Sequence, residues 1–373
     1  MRVLLTGASG FLGRWVARSL VAERCQVRVL ARDATRLGNL RELAIEVAEG
    51  DVLSRPSIER AMRGVGAVVH CAAAVSLKPR DRQLIRETNV NGTRNILELA
   101  SARAIRVLHT SSIACIGPTS TAITLDEASP PAHIDFDYPY AASKRESERL
   151  ALASARAGNH VVVLNPGIML GPDDLYFSST EFVMRYLRSE LAAHLIGGGS
   201  FCDVRDVAAA YPAALRRGRS GERYILAGVN RSYGEVQRQL QLITGLQSST
   251  AVPRALAQWA GLWSELSASV WAHPLEKFNV SVALWGSLFN FCSASKAENE
   301  LGYRVRSFEQ TLIDTVVDHL KRGAAPASTP KLRGLLARAQ SEPSKRTKPR
   351  PQARLKTQRT RPLTKRLSRE SGK

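Results

Sequence analysis

Thr6-Gly7-Ala8-Ser9-Gly10-Phe11-Leu12-Gly13 follows a short apolar run, Arg2–Thr6, at the start of the chain and leads directly into an amphipathic stretch, Leu12–Val21. Strand, glycine turn and helix in immediate succession leave few folds open. The first glycine permits a tight turn, the second lets a pyrophosphate approach the backbone, and the third allows the helix to pack closely on the strand. The helix N-terminus would offer an anion free N–H groups and the positive end of its dipole. Gly7, Gly10, Phe11, Leu12 and Gly13 are therefore candidate cofactor-binding residues. Glycines at this spacing are a weak signal alone, and the flanking strand and helix give them their weight.

The same alternation continues. Gln26–Ala31, Ile45–Glu49, Ala67–Cys71, Arg106–Ser111 and Val161–Asn165 read as strands, and Pro56–Met62, Gln83–Ala102 and Tyr140–Ala157 as helices. Short Val/Ile/Leu-rich strands separated by amphipathic helices predict βαβ units and a parallel sheet covered on both faces. The expected class is α/β, a doubly wound Rossmann sheet, with residues 1–170 as its core. Residues 171–323 are less regular: Gly197-Gly198-Gly199 and then Phe201–Asp206 read as a loop returning to a strand and a helix. Four of the five Trp (Trp259, Trp263, Trp271, Trp285) fall between Val252 and Phe291, a window interrupted by Arg254, Glu265, His273, Pro274, Glu276 and Lys277. No apolar run reaches the ~18–20 residues of a membrane span. Helices lining or covering a pocket fit this window better than a monotopic membrane contact.

Charge and cysteine placement narrow the function classes. Of a formal net charge of +20, much sits in residues 324–373, where 15 Lys or Arg face two acids and no Phe, Tyr or Trp occurs. That segment reads as a disordered basic tail, either a solvated appendage or an electrostatic tether for nucleic acid or an anionic membrane. Without aromatics it is poorly suited to stacking on bases. Cys25, Cys71, Cys115, Cys202 and Cys292 include no CxxC pair, which argues against a disulfide scaffold and a structural zinc site. No metal is expected. The N-terminal run is too short for a signal peptide, so a reducing cytoplasm is the expected compartment.

Cofactor choice and chemistry have their own residues. The second strand ends Ala31-Arg32-Asp33, and an Arg there would pair with a 2′-phosphate, whereas an acid would bind the adenosine ribose hydroxyls. Arg32 leans toward NADP over NAD. Asp33 complicates this if it turns inward, and Arg32 has the alternative of being a plain surface residue. Asp51, followed by Val52 after the third strand, is placed for the adenine edge. Tyr140 and Lys144 lie at i and i+4 on one helix face. A phenol near pKa ~10 is a poor base at neutral pH, and an adjacent ammonium together with an oxidised nicotinamide ring would bring it closer to working range. Ser111 and Ser112 end a strand at the sheet edge where ligands bind, and either hydroxyl can serve a substrate oxygen or cap the backbone.

Taken in order, TGASGFLG (Thr6–Gly13), GDV (Gly50–Val52), HCAA (His70–Ala73), NVNGT (Asn89–Thr93), HTSSIACIG (His109–Gly117), YAASK (Tyr140–Lys144), NPGIMLGP (Asn165–Pro172) and SKAENELGY (Ser295–Tyr303) resemble the extended short-chain dehydrogenase/reductase superfamily, the NAD-dependent epimerase/dehydratase family, over residues 1 to about 322. The resemblance implies hydride exchange with a small-molecule substrate at nicotinamide C4 and a small C-terminal substrate region, residues 171–323, interleaved with the last Rossmann elements. It also implies Ser112 as the catalytic serine, five residues before Gly117, beside Tyr140 as proton donor/acceptor. Lys144 would bind the nicotinamide ribose, the backbone of Cys71, Ala72 and Ala73 would pass the cofactor, and Pro166 would lie near the nicotinamide. A homodimer through the helices around Asn89–Ala102 and Tyr140–Ala157 is a further implication.

Within the superfamily, NPGIMLGPDD and RYILAGVNRSYGEV resemble dihydroflavonol-reductase-like enzymes with their hydroxysteroid-dehydrogenase relatives, and hopanoid-associated sugar-epimerase-like proteins. Sugar epimerases of the superfamily usually grip a diphosphate with two arginines. Here Gly199 or Ser200 stands at one such position, and no Lys or Arg occurs between Lys277 and Lys296. With the Trp-rich window, this leads to an NADP-preferring reductase or dehydrogenase of a fairly apolar carbonyl or alcohol. The alternatives are an epimerase or dehydratase that recycles its cofactor internally, and a non-catalytic dinucleotide-binding protein whose basic tail recruits nucleic acid, a membrane or another partner.

Overall fold

Apolar runs of four to six residues, each followed by a helix with one apolar face, bury every strand only if the strands lie parallel with helices on both sides. The computed structural model, which describes residues 1–76, 79–130, 138–191, 193–268 and 280–341, has this arrangement. Its strands are β1 (Arg2–Thr6), β2 (Gln26–Ala31), β3 (Ile45–Glu49), β4 (Ala67–His70), β5 (Arg106–Thr110), β6 (Thr124–Leu125), β7 (Val161–Pro166), β8 (Ile168–Leu170), β9 (Ala193–Leu195), β10 (Gly198–Asp203), β11 (Arg223–Leu226), β12 (Val229–Ser232), β13 (Thr250–Val252) and β14 (Phe289–Cys292). Its α-helices are α1 (Phe11–Ala22), α2 (Arg55–Ala61), α3 (Arg82–Arg86), α4 (Gly92–Ser101), α5 (Pro139–Arg156), α6 (Glu181–Leu187), α7 (Val204–Arg217), α8 (Tyr233–Thr244), α9 (Arg254–Ala268), α10 (Val280–Trp285), α11 (Ser295–Leu301), α12 (Phe308–Lys321) and α13 (Pro330–Ser341).

Seven strands form one parallel sheet in the order β11-β7-β5-β4-β1-β2-β3. The order reverses between β1 and β4, the place where such sheets open a crevice at their carboxyl ends. Side chains alternate across the sheet as period two requires. Val3, Leu5, Val29, Val69 and Leu108 join the core under α1 and α7. Leu4, Leu30, Val68, Val107 and Val163 join the core under α2, α4 and α5. The edge strand β3 is the least buried of this sheet, with Glu46, Val47 and Glu49 exposed.

Two expectations change here. The single helix expected over Gln83–Ala102 is α3 and α4 joined by a π-turn at Glu87–Asn91. The cause is Asn89, whose buried carboxamide accepts from Ala74 N at 2.7 Å and donates to Ala74 O at 3.0 Å and Ser143 Oγ at 2.9 Å. A side chain drawn inward this way widens the helical turn around it. The disorder expected from Ala324 onward does not hold for the first part of that segment, because Pro330–Ser341 is helix α13. Leu332 is fully buried and, with Leu335 and Leu336, packs on the third core, an apolar stripe that a basic composition had hidden. Residues 342–373 lie outside the described residues.

The second sheet, β12-β10-β14-β6 with β8 also on β10, sits over that third core of Leu170, Val183, Phe201, Val236, Leu240 and Leu312. Meanwhile α7 and α11 pack with the main sheet, so the chain beyond residue 170 serves both layers. Among the described residues, no helix is long and apolar enough to cross a membrane.

Candidate active site

The glycine turn is built by contacts that no other residue tolerates. Gly7 has φ +76°, and a Cβ there would stand 2.6 Å from Ala72 N and Cys71 C. A Cβ on Gly13 would stand 2.1 Å from Gly7 O. Gly10 is the extended N-cap of α1 and carries no side-chain cap, so the first N–H groups of that helix have no side chain closing over them. The Phe11 and Leu12 side chains are buried in the main core, leaving their backbone amides as what they can offer a ligand. A tight glycine turn below an uncapped helix N-terminus fits a dinucleotide pyrophosphate.

A buried polar chain fixes the neighbouring strand end. Thr93 Oγ1 donates to Asn89 O at 2.6 Å, so it accepts from His70 Nε2 at 3.1 Å. His70 Nδ1 then accepts from Thr6 Oγ1 at 2.8 Å, and Thr6 Oγ1 accepts from Ala72 N at 3.2 Å. Burial, with Lys144 nearby, holds His70 neutral by pushing its pKa down to about 3. Cys71 and Ala72 are thereby held against Gly7, and Cys71 Sγ lies 3.2 Å from Thr110 Oγ1. Ala73 is exposed just beyond them.

At the adenosine end, Arg32 projects into solvent with its Nε 3.9 Å from Asp51 Oδ2. Asp33 caps the following turn, its Oδ1 accepting from Thr35 N at 2.8 Å and Thr35 Oγ1 at 2.6 Å. It therefore faces Thr35, and the inward turn that would have complicated the cofactor reading does not occur. Asp51 Oδ1 accepts from Leu53 N at 2.9 Å, and Val52 is buried against Gly92.

Ser112, Tyr140 and Lys144 meet at the end of β5. Ser112 caps the turn, its Oγ accepting from Ala114 N at 3.2 Å, and its hydroxyl faces the Tyr140 phenol. Burial pushes the phenol up to about 12, and the Ser112 hydroxyl opposes that rise. Lys144 Nζ is buried and donates to Thr110 O at 2.7 Å. Burial also lowers its own pKa. Desolvation is thus the largest influence on the Tyr140 phenol in the chain's own surroundings. Pro166 closes β7 directly after Asn165.

Several residues around this group were not singled out by their sequence. Glu148, 5% exposed, accepts from Ser111 Oγ at 2.5 Å, Asn165 Nδ2 at 2.7 Å and Arg223 Nη1 at 3.3 Å. Asn165 Nδ2 also donates to Ser112 O at 3.0 Å. Ser111 therefore serves the network and Ser112 faces the tyrosine. The available signal was periodicity, since Tyr140, Lys144 and Glu148 stand at i, i+4 and i+8 on α5. Tyr138 was equally silent: its ring packs on Trp285 of the Trp-rich window at 4.7 Å and lies 6.3 Å from the Tyr140 ring. Of the Trp-rich window, Trp285 reaches the site, Trp259 and Trp263 face solvent, and Trp271 lies outside the described residues.

The position expected to hold a diphosphate-gripping arginine is filled by packing. A Cβ on Gly199 would meet Ile168 Cδ1 at 2.6 Å, while Ser200 Oγ hydrogen-bonds Asn230 and accepts from Cys292 N at 2.8 Å. Among the described residues, no cluster of His, Cys, Asp or Glu could hold a metal ion.

Residues 3–227 match the NAD dependent epimerase/dehydratase family. The chain is 35% identical to a putative dihydroflavonol 4-reductase of Synechocystis, over 84% of this chain and 92% of that protein. It is 31% identical to sterol demethylase protein B of Methylococcus capsulatus, over 87% and 99%. The crystal structure of gox2253 superposes with a TM-score of 0.76 at 28% identity, covering 87% of this chain and 99% of that one.

Proposed function

The chain belongs to the NAD dependent epimerase/dehydratase family of extended short-chain dehydrogenases/reductases, and from that premise we propose that it is an NADP-preferring reductase of an apolar carbonyl compound, or the dehydrogenase of the matching alcohol. The observation that carries the reading is the buried Tyr140 phenol facing the Ser112 hydroxyl beside the Tyr138–Trp285 ring pair. When bound, the nicotinamide supplies or accepts the hydride. Ser112 and Tyr140 would both hydrogen-bond the substrate oxygen, and Tyr140 would give the alkoxide its proton. Lys144, moving from Thr110 O, would hold the nicotinamide ribose.

What supports an apolar substrate is the aromatic wall together with the packed Gly199 and Ser200, which leave that strand without a cation for a diphosphate. The similar proteins named for dihydroflavonol and sterol chemistry point the same way. What supports NADP is the exposed Arg32, with Asp33 committed to Thr35. A 2′-phosphate paired with Arg32 is worth about 1.5–3 kcal/mol, roughly 10–150-fold in affinity.

The test is a titration with NADPH and NADH, followed by turnover with ketones of rising hydrophobicity. NADPH should bind tighter, Arg32→Ala should erase most of the difference, and cofactor should be consumed one-for-one with ketone. Equal binding of both cofactors removes the NADP assignment. Turnover without net cofactor consumption means an epimerase or dehydratase cycle instead.

A further inference from the structure

Helix α9 presents Leu256, Trp259 and Trp263 at i, i+3 and i+7, one stripe along its length. All three point into water, 61%, 70% and 72% exposed, while Ala257 on the other side is buried and α9 packs against α10. Neither tryptophan belongs to the site around Tyr140, which among the described residues of this window Trp285 alone of the tryptophans reaches. We propose that this face of α9 docks the protein on an anionic phospholipid bilayer, lying in the headgroup region without crossing it.

Chemistry on the molecule selects that occupant. Indole is an amphipathic ring that favours the membrane–water interface, and a helix with Trp and Leu along one face is the form that lies in the interface plane. At 15 residues α9 is too short to span a bilayer. A single shallow apolar face binds membranes only marginally, and stable attachment needs a second attraction such as a polybasic segment. This chain carries one: Arg254 opens α9 in solvent, and residues 342–373 hold 12 Lys or Arg against two Glu. Such a segment attracts anionic leaflets. Nucleic acid is a poorer fit, because the cationic segment contains no aromatic to stack on bases and Leu256 would gain nothing there. Docking would also set the Tyr140 site beside a phase in which apolar carbonyl compounds concentrate, although the proposal does not depend on that activity.

The test uses the full-length protein without substrate or cofactor. It is sedimented with phosphatidylcholine vesicles, and with vesicles containing about one-third phosphatidylglycerol, at low and high salt. Binding is expected to the anionic vesicles only and to weaken with salt, and Trp259→Ser/Trp263→Ser should lower it at least about tenfold. Brominated phospholipid should quench the wild-type tryptophan fluorescence, a readout that needs no variant to fold. The double variant should bind NADPH as the wild type does, which separates loss of docking from loss of structure. Absence of wild-type binding, equal binding to neutral vesicles, or unchanged binding by the double variant overturns the proposal. So does binding that single-stranded RNA abolishes and the double variant retains, which would assign the basic segment to nucleic acid.

Discussion

Asn165 Nδ2 donates to Glu148 Oε2 at 2.7 Å and to the Ser112 carbonyl at 3.0 Å, so one buried carboxamide ties helix α5 to the strand end that bears the serine. Tyr140 and Lys144 stand two turns and one turn before Glu148 on that helix. The distance between the serine and the tyrosine is thereby set by a network behind them. Arg223 completes it, its Nη1 3.3 Å from Glu148 Oε1 and its Nη2 2.5 Å from Glu127 O.

Glu148→Gln places an amide N–H among groups that already donate and removes the charge facing Arg223. Stability in urea is expected to fall by about 1–3 kcal/mol, as for a buried hydrogen-bonded group left mismatched. Turnover should fall with it because Ser112 loses its support. A change within about 0.5 kcal/mol, the range of ordinary surface substitutions, would show that the network positions nothing.

Tyr140→Phe should leave NADPH binding nearly intact and cut turnover about 10²–10⁴-fold, the usual worth of a positioned proton donor. The pH profile follows from the raised phenol. With its pKa pushed up to about 12, the group stays protonated through neutral pH. Ketone reduction, which uses the proton, should therefore show no loss from this group between pH 6 and pH 9, a window of ordinary assay conditions about three units below the shifted value. Alcohol oxidation needs the phenolate and should rise with pH. A reduction rate that falls through a pKa near ~7 would mean another donor or a phenol already brought down.

Gly7→Ala combines a strained φ of +76° with a Cβ 2.6 Å from Ala72 N, both imposed by backbone that cannot move independently. A loss above about 2 kcal/mol is expected, together with loss of NADPH binding. Gly323 provides the control: its φ is +66°, but nothing lies within 4 Å of an added Cβ. Gly323→Ala should cost only the strain, about 1 kcal/mol, and leave NADPH binding unchanged. Equal losses at the two positions would remove the close-approach argument.

His70 and His109 are both buried and held neutral, His70 down to about 3 and His109 well below its ordinary value, burial being the larger cause in each. Their folded pKa values lie below the unfolded one of 6.5. As pH falls below 6.5 the unfolded chain takes up protons that the folded chain refuses, so stability falls with pH, by up to ~1.4 kcal/mol per unit for each histidine. Urea melts at pH 7 and pH 5 should show the loss, and His109→Phe should reduce it. His109 is the simpler site to replace because neither ring nitrogen has a hydrogen-bond partner among the described residues. An unchanged difference between the two pH values in that variant would assign the acid sensitivity elsewhere.

Local patterns determined much of this protein. The strand–glycine–helix start, the alternation of short apolar runs with helices, and the i,i+4 pair Tyr140–Lys144 each depend on neighbours in sequence, and the strands expected over residues 1–170 and the helices at Leu12–Val21, Pro56–Met62 and Tyr140–Ala157 formed within a residue or two of their expected bounds. The family followed from motifs in a set order. Tertiary structure decided what depends on distant partners. Asn89 opened a π-turn because Ala74 and Ser143 came within its reach. Leu332 turned part of a basic segment into packed helix because the third core had room for it. Burial raised the Tyr140 phenol, an influence that residue spacing does not record. Trp285 became an aromatic wall and Trp259 a solvent-facing residue, although the same window encodes both. Sequence spacing records which face a residue is on, while desolvation and hydrogen-bond partners depend on what the fold brings to that face.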